Sequence, residues 1–104
     1  MQERRTANRY RASLNVRWET LRAQGRGAVC DLSSSGCFVL AGGEITTGDL
    51  VKLELIVADD VTTLWGQVVY QVPEMGFAAR FVFGSENGKR ALDRLIGTIT
   101  QAVV

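Results

Sequence analysis

The chain of 104 residues contains no histidine, a single proline and two cysteines. Without histidine the usual general base near neutral pH is missing, so Ser-His and Cys-His catalytic dyads are excluded within this chain. Cys30 and Cys37 have no histidine or second cysteine pair beside them to complete a zinc ligand set. We therefore expect a protein that is not an enzyme, has no metal or other cofactor, and uses its two cysteines as reduced packing residues.

Long hydrophobic runs are also missing. The N-terminal stretch MQERRTANRYRASLNV has no apolar segment after its basic residues, which excludes a secretory signal. No other run approaches the roughly 20 apolar residues of a membrane-spanning helix. The hydrophobic content of 46% and charged content of 22% are ordinary for a soluble globular protein. We expect one cytoplasmic domain without membrane insertion.

Charge is distributed unevenly although the formal net charge is only +1. Residues 1–26 carry seven arginines against two glutamates, whereas the remainder carries five basic and nine acidic residues. A nucleic-acid-binding domain is usually basic throughout, which this chain is not. The pattern favours a local anion site near the N-terminus, although a solvated basic tail would have the same composition.

Six segments have the composition or alternation of β-strands, with turn signals such as AQGRG (23–27) and PEMG (73–76) between them. The predicted strands cover about 12–18, 27–33, 37–40, 50–57, 62–72 and 77–83. In the fifth, the alternation predicts that Val68 and Tyr70 face the core and that Trp65 faces outward. Short strands at this spacing predict a small antiparallel barrel or sandwich.

The C-terminal segment changes to a helical period. Apolar residues recur there three or four apart, at Leu92, Leu95, Ile96, Ile99 and Val103. This predicts a helix over about 87–102, with Ser85 or Asn87 as its N-cap. The chain then divides into an N-terminal arm, residues 1–11, and a barrel with its helix, residues 12–104.

The stretch DLSSSG (31–36) is the first of two candidate motifs. In a strand, Asp31 and Ser33 point to the outer face while Cys30 and Leu32 point to the core. Gly36 permits a turn with positive φ or a close approach of the backbone to a ligand. By itself this spacing is also typical of an ordinary Asx or Ser turn.

The second motif lies in the N-terminal arm, where Arg5 and Arg9 are four residues apart and Arg4 precedes them. Each guanidinium is a planar fork that suits bidentate contact with phosphate or with the O6/N7 edge of guanine. A carboxylate and a hydroxyl, such as those of Asp31 and Ser33, suit the N–H donors of guanine, which arginine cannot bind.

Taken together, RTANR (5–9) and DLSSSG (31–36) resemble the motifs of the PilZ domain, the bacterial receptor module for cyclic di-GMP. The resemblance covers nearly the whole chain, because the strand order, the glycine-led segment GFAARF and the final helix also match. It implies an all-β fold, a six-stranded antiparallel barrel with a C-terminal helix. It also implies an arm that closes over the nucleotide.

Carried onto this sequence, the resemblance assigns Arg5 and Arg9 to phosphates and guanine edges, with Arg4 as an auxiliary arginine. Asp31 and Ser33 would hold a guanine, and Gly36 would shape the turn beneath it. Two further residues, Trp65 and Arg80, are candidates for additional contacts. We expect Trp65 to pack rather than stack on a base, and Arg80 to be a solvated surface residue.

The leading hypothesis is a receptor for cyclic di-GMP that signals through an unidentified protein effector in the regulation of motility, exopolysaccharide and biofilm production, or virulence. It would act as a monomer or homodimer and would not bind nucleic acid. One alternative is a PilZ-like adaptor with weak or no nucleotide binding. A second is a small barrel that binds nucleic acid through its basic arm and stacks bases on Trp65 or Tyr70.

Overall fold

The computed structural model describes the backbone of residues 9–103 and the side chains of residues 9–99. Within that range the chain forms six strands followed by one helix. They are β1 (Tyr10–Glu19), β2 (Gln24–Leu32), β3 (Gly36–Leu40), β4 (Leu50–Val57), β5 (Asp60–Val72), β6 (Gly76–Phe81) and α1 (Glu86–Val103). All neighbouring strands pair antiparallel in a closed barrel of order β1-β2-β3-β6-β5-β4. The predicted barrel with a C-terminal helix is confirmed.

The core fills the inside of this barrel, because the apolar residues of each strand alternate with polar ones. Trp18 on β1 meets Phe77 on β6 edge to face, with ring centroids 6.0 Å apart. The helix packs against β5 and buries Leu92, Leu95 and Ile99. Each such large apolar side chain contributes roughly 1.5–3 kcal/mol when buried. Burial from both the strands and the helix therefore stabilises one common core.

Most predicted boundaries lie within two residues of the observed ones, but the turn predicted at 23–27 is wrong. The chain turns at Thr20–Ala23, where the Thr20 amide donates to the Ala23 carbonyl oxygen at 2.8 Å. Gly25 and Gly27 lie inside β2, at positions where close neighbours leave no room for a Cβ. A Cβ on Gly27 would stand 2.3 Å from the Leu40 carbonyl oxygen. These glycines permit close strand contact rather than a turn.

Two irregularities in strand register change which side chains face outward. Between β2 and β3 the register shifts from Val29 to Asp31, which leaves Cys30 as a bulged residue. Val29 is fully buried and Cys30 only partly, so the prediction that Cys30 faces the core is wrong. Between β5 and β6 the register shifts from Val68 to Tyr70. Tyr70 is 55% exposed, so its predicted inward orientation is also wrong.

Both cysteines are free thiols. Cys37 is buried, and burial raises the pKa of its thiol to about 12.

Within the part of the chain that the structure describes, no helix is both long and apolar enough to cross a membrane. The same part holds no cluster of His, Cys, Asp and Glu side chains that could bind a metal ion.

Candidate ligand-binding site

An ion pair joins the residue that precedes β1 to the end of β2. The Nε of Arg9 donates to Oδ1 of Asp31 at 3.3 Å, and its Nη2 donates to Oδ2. The hydrogen bond to Asp31, and the charge of that carboxylate, raise the pKa of Arg9 above its usual value. The contact is bidentate and therefore fixes the plane of the guanidinium as well as its position.

The bulge at Cys30 explains why Asp31 is available to Arg9. Asp31 lies opposite Arg11 on β1 and opposite Phe38 on β3, immediately after the register shift. Bulges redirect the side chains that follow them. The carboxylate consequently stands at the barrel surface with 26% of its side chain exposed, as predicted, whereas unbroken alternation from the buried Val29 would turn it into the core.

Ser33 is buried and its hydroxyl is engaged within the β2–β3 turn. The Oγ of Ser33 accepts hydrogen bonds from the amides of Ser35 at 3.2 Å and Gly36 at 3.3 Å. Its own amide donates to the Gly36 carbonyl oxygen at 2.9 Å. In this structure Ser33 therefore acts as a positioning residue, because its hydroxyl holds the turn that follows Asp31.

Gly36 is required by the neighbouring strand. Only two glycines of the described chain have positive φ, Gly43 and Gly48, so the left-handed turn considered for Gly36 is absent there. A Cβ on Gly36 would instead lie 2.3 Å from the carbonyl oxygen of Ala79 on β6. The missing side chain thus allows β3 and β6 to approach, which closes the barrel beneath the site.

These residues border one open cavity of about 440 Å³ on the outer surface of the barrel. Arg80 joins them, since it pairs with Gly36 across β6 and β3 and lines the same cavity. The apolar part of the wall includes Phe38, Val69 and Tyr70, and the rings of Phe38 and Tyr70 lie 6.3 Å apart. The cavity thus combines two guanidiniums, one carboxylate and an apolar aromatic floor.

The family model of the PilZ domain matches residues 3–97 of the chain. The chain belongs to the PilZ domain family. No curated protein matches the sequence closely enough to count as a relative.

Solved structures of other PilZ domains share this fold. The PilZ domain of YcgR from Escherichia coli with c-di-GMP is 18% identical, with a TM-score of 0.80, and covers 97% of this chain and 95% of its own. The PilZ domain of CeSA from a cellulose-synthesizing bacterium is 14% identical, with a TM-score of 0.76, covering 89% and 98%. The K. pneumonia MrkH–c-di-GMP complex is 17% identical, with a TM-score of 0.74, covering 97% and 54%. At such identities the similarity establishes the fold.

The structure of this PilZ domain brings four of the predicted site residues to the same cavity as Arg80. They are Arg9, Asp31, Ser33 and Gly36. Trp65 faces outward as predicted and is 45% exposed, but it lines a different cavity with Leu21 and Leu50. The predicted arginines Arg4 and Arg5 lie outside the described residues.

Tyr70 lines this cavity although its sequence pattern did not indicate a surface position there. Its alternation with Val68 indicated a core position, and only the bulge between them turns it onto the cavity wall. Five consecutive strand residues, Val68 to Val72, contain no glycine or proline that would signal the irregularity. Period-two patterns cannot locate a bulge without such a signal.

Proposed function

We propose that this PilZ domain is a receptor for cyclic di-GMP, whose binding changes the conformation of the N-terminal arm and is recognised by a protein partner. The observation that carries the proposal is the bidentate Arg9–Asp31 pair beside Arg80 and Tyr70 on one cavity. The PilZ domain of E. coli YcgR and K. pneumonia MrkH, each solved in complex with c-di-GMP, support the same ligand.

Each group in the cavity suits a different part of the nucleotide. The guanidiniums of Arg9 and Arg80 suit the phosphates or the O6/N7 edge of guanine, because they offer paired donors and fixed positive charge. The carboxylate of Asp31 accepts hydrogen bonds and suits the N–H donors on the opposite edge of the base. Tyr70 and Val69 provide an apolar surface for the face of a base.

The N-terminal arginines complete the proposed site. The spacing of Arg5 and Arg9, with Arg4 beside them, would bring further guanidiniums to the phosphates once the arm lies over the cavity. Charge-assisted hydrogen bonds contribute roughly 1.5–3 kcal/mol each, so several of them can offset the entropy cost of ordering the arm. The liganded arm then forms a surface that a protein partner could recognise.

Binding without catalysis fits the chemistry of the cavity. Its carboxylate, Asp31, already accepts both hydrogen bonds of Arg9. Its thiol, Cys37, has a pKa of about 12 because it is buried, so near neutral pH it is protonated and a poor nucleophile. The hydroxyl of Ser33 is held by the turn amides. These groups are arranged to bind and orient a ligand.

Isothermal titration calorimetry with cyclic di-GMP tests the proposal. Arg9→Ala and Asp31→Ala should each weaken binding at least about tenfold, because each removes charge-assisted hydrogen bonds to the nucleotide. Arg17→Ala is the matched control, since Arg17 also forms an exposed ion pair, with Glu54 at 3.4 Å, on another face. GTP should bind more weakly than cyclic di-GMP.

No heat for the unmodified protein at high concentration would overturn the proposal and favour the adaptor alternative. A steep salt dependence that Asp31→Ala leaves unaffected would favour nucleic acid, because a carboxylate repels phosphates. The conformational part has its own test, hydrogen exchange. Saturating cyclic di-GMP should slow amide exchange in residues 2–9, and unchanged exchange there would contradict the change in the arm.

A further inference from the structure

Leu21 stands fully exposed at the tip of the turn between β1 and β2. The turn around it is well ordered by Thr20, whose Oγ1 accepts hydrogen bonds from the amides of Arg22 at 3.2 Å and Ala23 at 3.1 Å. Turn tips usually carry small or polar residues. The Leu21 side chain contributes no hydrophobic stabilisation to the fold, because none of its surface is removed from water.

The turn is also tied to the beginning of β4. The Nη2 of Arg22 donates to both carboxylate oxygens of Asp49, at 2.9 and 3.0 Å. The same carboxylate accepts a hydrogen bond from the Thr46 amide at 3.0 Å. These bonds hold the backbone of the turn in one conformation before any partner arrives, which lowers the entropy cost of an interaction through Leu21.

Leu21 borders an open cavity of about 580 Å³ whose other large apolar side chains are Leu50 and Trp65. Leu50 is 53% exposed and Trp65 45% exposed. Val82 lies next to Trp65 and is also 46% exposed. Its amide donates to the Trp65 carbonyl oxygen at 2.8 Å. A projecting leucine therefore stands beside an apolar hollow large enough for a leucine side chain. We call Leu21, Leu50 and Trp65 the Leu21 surface.

The charged residues that line this cavity form two pairs of opposite sign. Arg22 pairs with Asp49, and the Nζ of Lys52 lies 3.9 Å from Oε1 of Glu19. With two cations and two anions, the rim carries no net charge that would attract a polyanion or an acidic surface. It equally gives no net repulsion against an identical rim, and each cation of one copy can face an anion of another.

We propose that the Leu21 surface is the interface of a twofold-symmetric dimer, in which Leu21 of each copy enters the cavity of the other. A twofold interface needs a self-complementary patch, so that a residue of one copy contacts a second residue of the other and the reverse contact also forms. The Leu21 surface has this property because the projecting side chain and the hollow are adjacent and the rim charges are balanced.

This interface is separate from the proposed nucleotide cavity. Among the described residues, the two cavities share no lining side chain. Trp65 and Val69 lie on the same outer face of β5 but four residues apart, which is about 13 Å along a strand. Dimerisation through the Leu21 surface thus leaves the Arg9–Asp31 pair accessible, and the inference does not depend on the identity of the nucleotide.

Sedimentation velocity across a concentration series, without nucleotide, tests the dimer. The unmodified protein should associate with increasing concentration, and Leu21→Asp should remain monomeric, because it would place two carboxylates in apolar cavities. Met75→Asp is the matched control, since Met75 is also an exposed apolar residue at a turn, 52% exposed, but on another part of the surface. Equal melting temperatures would show that both variants fold.

Tryptophan fluorescence gives a second measurement on the same samples. The chain has only two tryptophans, and Trp18 is buried in the core, so a change in emission with concentration reports on Trp65. We expect a blue shift on association that Leu21→Asp abolishes and Met75→Asp retains. A monomer at every concentration, or a dimer that persists in Leu21→Asp without a shift in Trp65 emission, would overturn the inference.

Discussion

The guanidinium of Arg9 donates hydrogen bonds to both carboxylate oxygens of Asp31, a residue 22 positions further along the chain. This contact brings one member of the arginine motif against the first residue of the DLSSSG motif. Arg9 and Asp31 are distant in sequence and meet because β1 and β2 pair antiparallel and place their ends together. The proposed contacts of Arg9 and Asp31 with the nucleotide depend on this proximity.

The Arg9–Asp31 pair should matter for binding and hardly at all for stability. Arg9 is 71% exposed at its side chain, and exposed ion pairs contribute little to folding because water and salt screen them. We expect Arg9→Ala to weaken cyclic di-GMP binding at least about tenfold while the Tm stays almost unchanged. A fall in Tm of about 4 °C or more would instead indicate a structural role for the pair.

Tyr70 should contribute to affinity through its ring. Stacking of a base on an aromatic side chain contributes roughly 1–3 kcal/mol, so Tyr70→Ala should weaken cyclic di-GMP binding by about fivefold to a hundredfold. Tyr70→Phe keeps the ring and should bind nearly as well as the unmodified protein. Trp65→Ala is the control, because Trp65 lines the other cavity. Calorimetry in which Trp65→Ala is the weaker binder would refute the assignment.

Gly36→Ala should destabilise the barrel. The new Cβ would stand 2.3 Å from the Ala79 carbonyl oxygen, and backbone atoms of β6 cannot move away as a flexible side chain could. We expect a loss of roughly 1–3 kcal/mol in the free energy of unfolding, measured by urea denaturation. Gly84→Ala provides the comparison, since nothing lies within 4 Å of its Cβ position. Equal stability of the two variants would contradict this account of Gly36.

Glu74→Gly should stabilise the protein. Glu74 follows Pro73 in the turn after β5 and has a φ of 65°. The Met75 amide closes this turn by donating to the Val72 carbonyl oxygen at 3.0 Å. Left-handed backbone costs a non-glycine residue roughly 1–2 kcal/mol, and the extra freedom of glycine in the unfolded chain offsets part of the gain. We expect a net increase of up to about 1 kcal/mol in the free energy of unfolding.

The control for this substitution is Glu44→Gly, also at an exposed loop position but without positive φ. Glycine there relieves no strain and only increases the entropy of the unfolded chain, so the free energy of unfolding should fall slightly. If Glu74→Gly lost as much stability as Glu44→Gly, backbone strain at Glu74 would not explain the turn.

Cys37 should make the folded state sensitive to alkaline pH. Burial raises the pKa of its thiol to about 12 from the usual 9.0 of a cysteine thiol. Below about pH 9 both the folded and the unfolded state keep this proton; above it only the unfolded state releases it, so stability falls as the pH rises from about 9 towards 12. The loss from this group should be about 1.4 kcal/mol for each pH unit in that window.

The measurement compares urea denaturation of the unmodified protein and Cys37→Ala at pH 8 and pH 10.5. Cys37→Ala leaves a small cavity and starts less stable, but it should lose less stability over this interval. Other titrating groups are common to both proteins, so the difference in slope isolates the thiol. Identical slopes would show that the thiol does not titrate with a raised pKa.

The local pattern of the sequence was sufficient to predict the six strands, the helix and the family. Alternation along strands such as β4 follows from which face is buried, and the helical period of α1 follows from the same requirement. The two motifs, RTANR and DLSSSG, are contiguous strings whose resemblance to the PilZ domain does not depend on tertiary contacts. Burial patterns and contiguous motifs are local information, which a single sequence carries directly.

Only the tertiary structure decided how the site is lined. The bulge at Cys30 and the irregularity before Tyr70 arise from the register of one strand against its neighbours, and a one-residue shift reverses every side chain after it. The role of Gly36 likewise depends on how near β6 comes, and the assignment of Trp65 and of the Arg9–Asp31 pair to different cavities depends on which strands and turns lie beside each of them. Pairing between distant strands sets all three, and no local period encodes it.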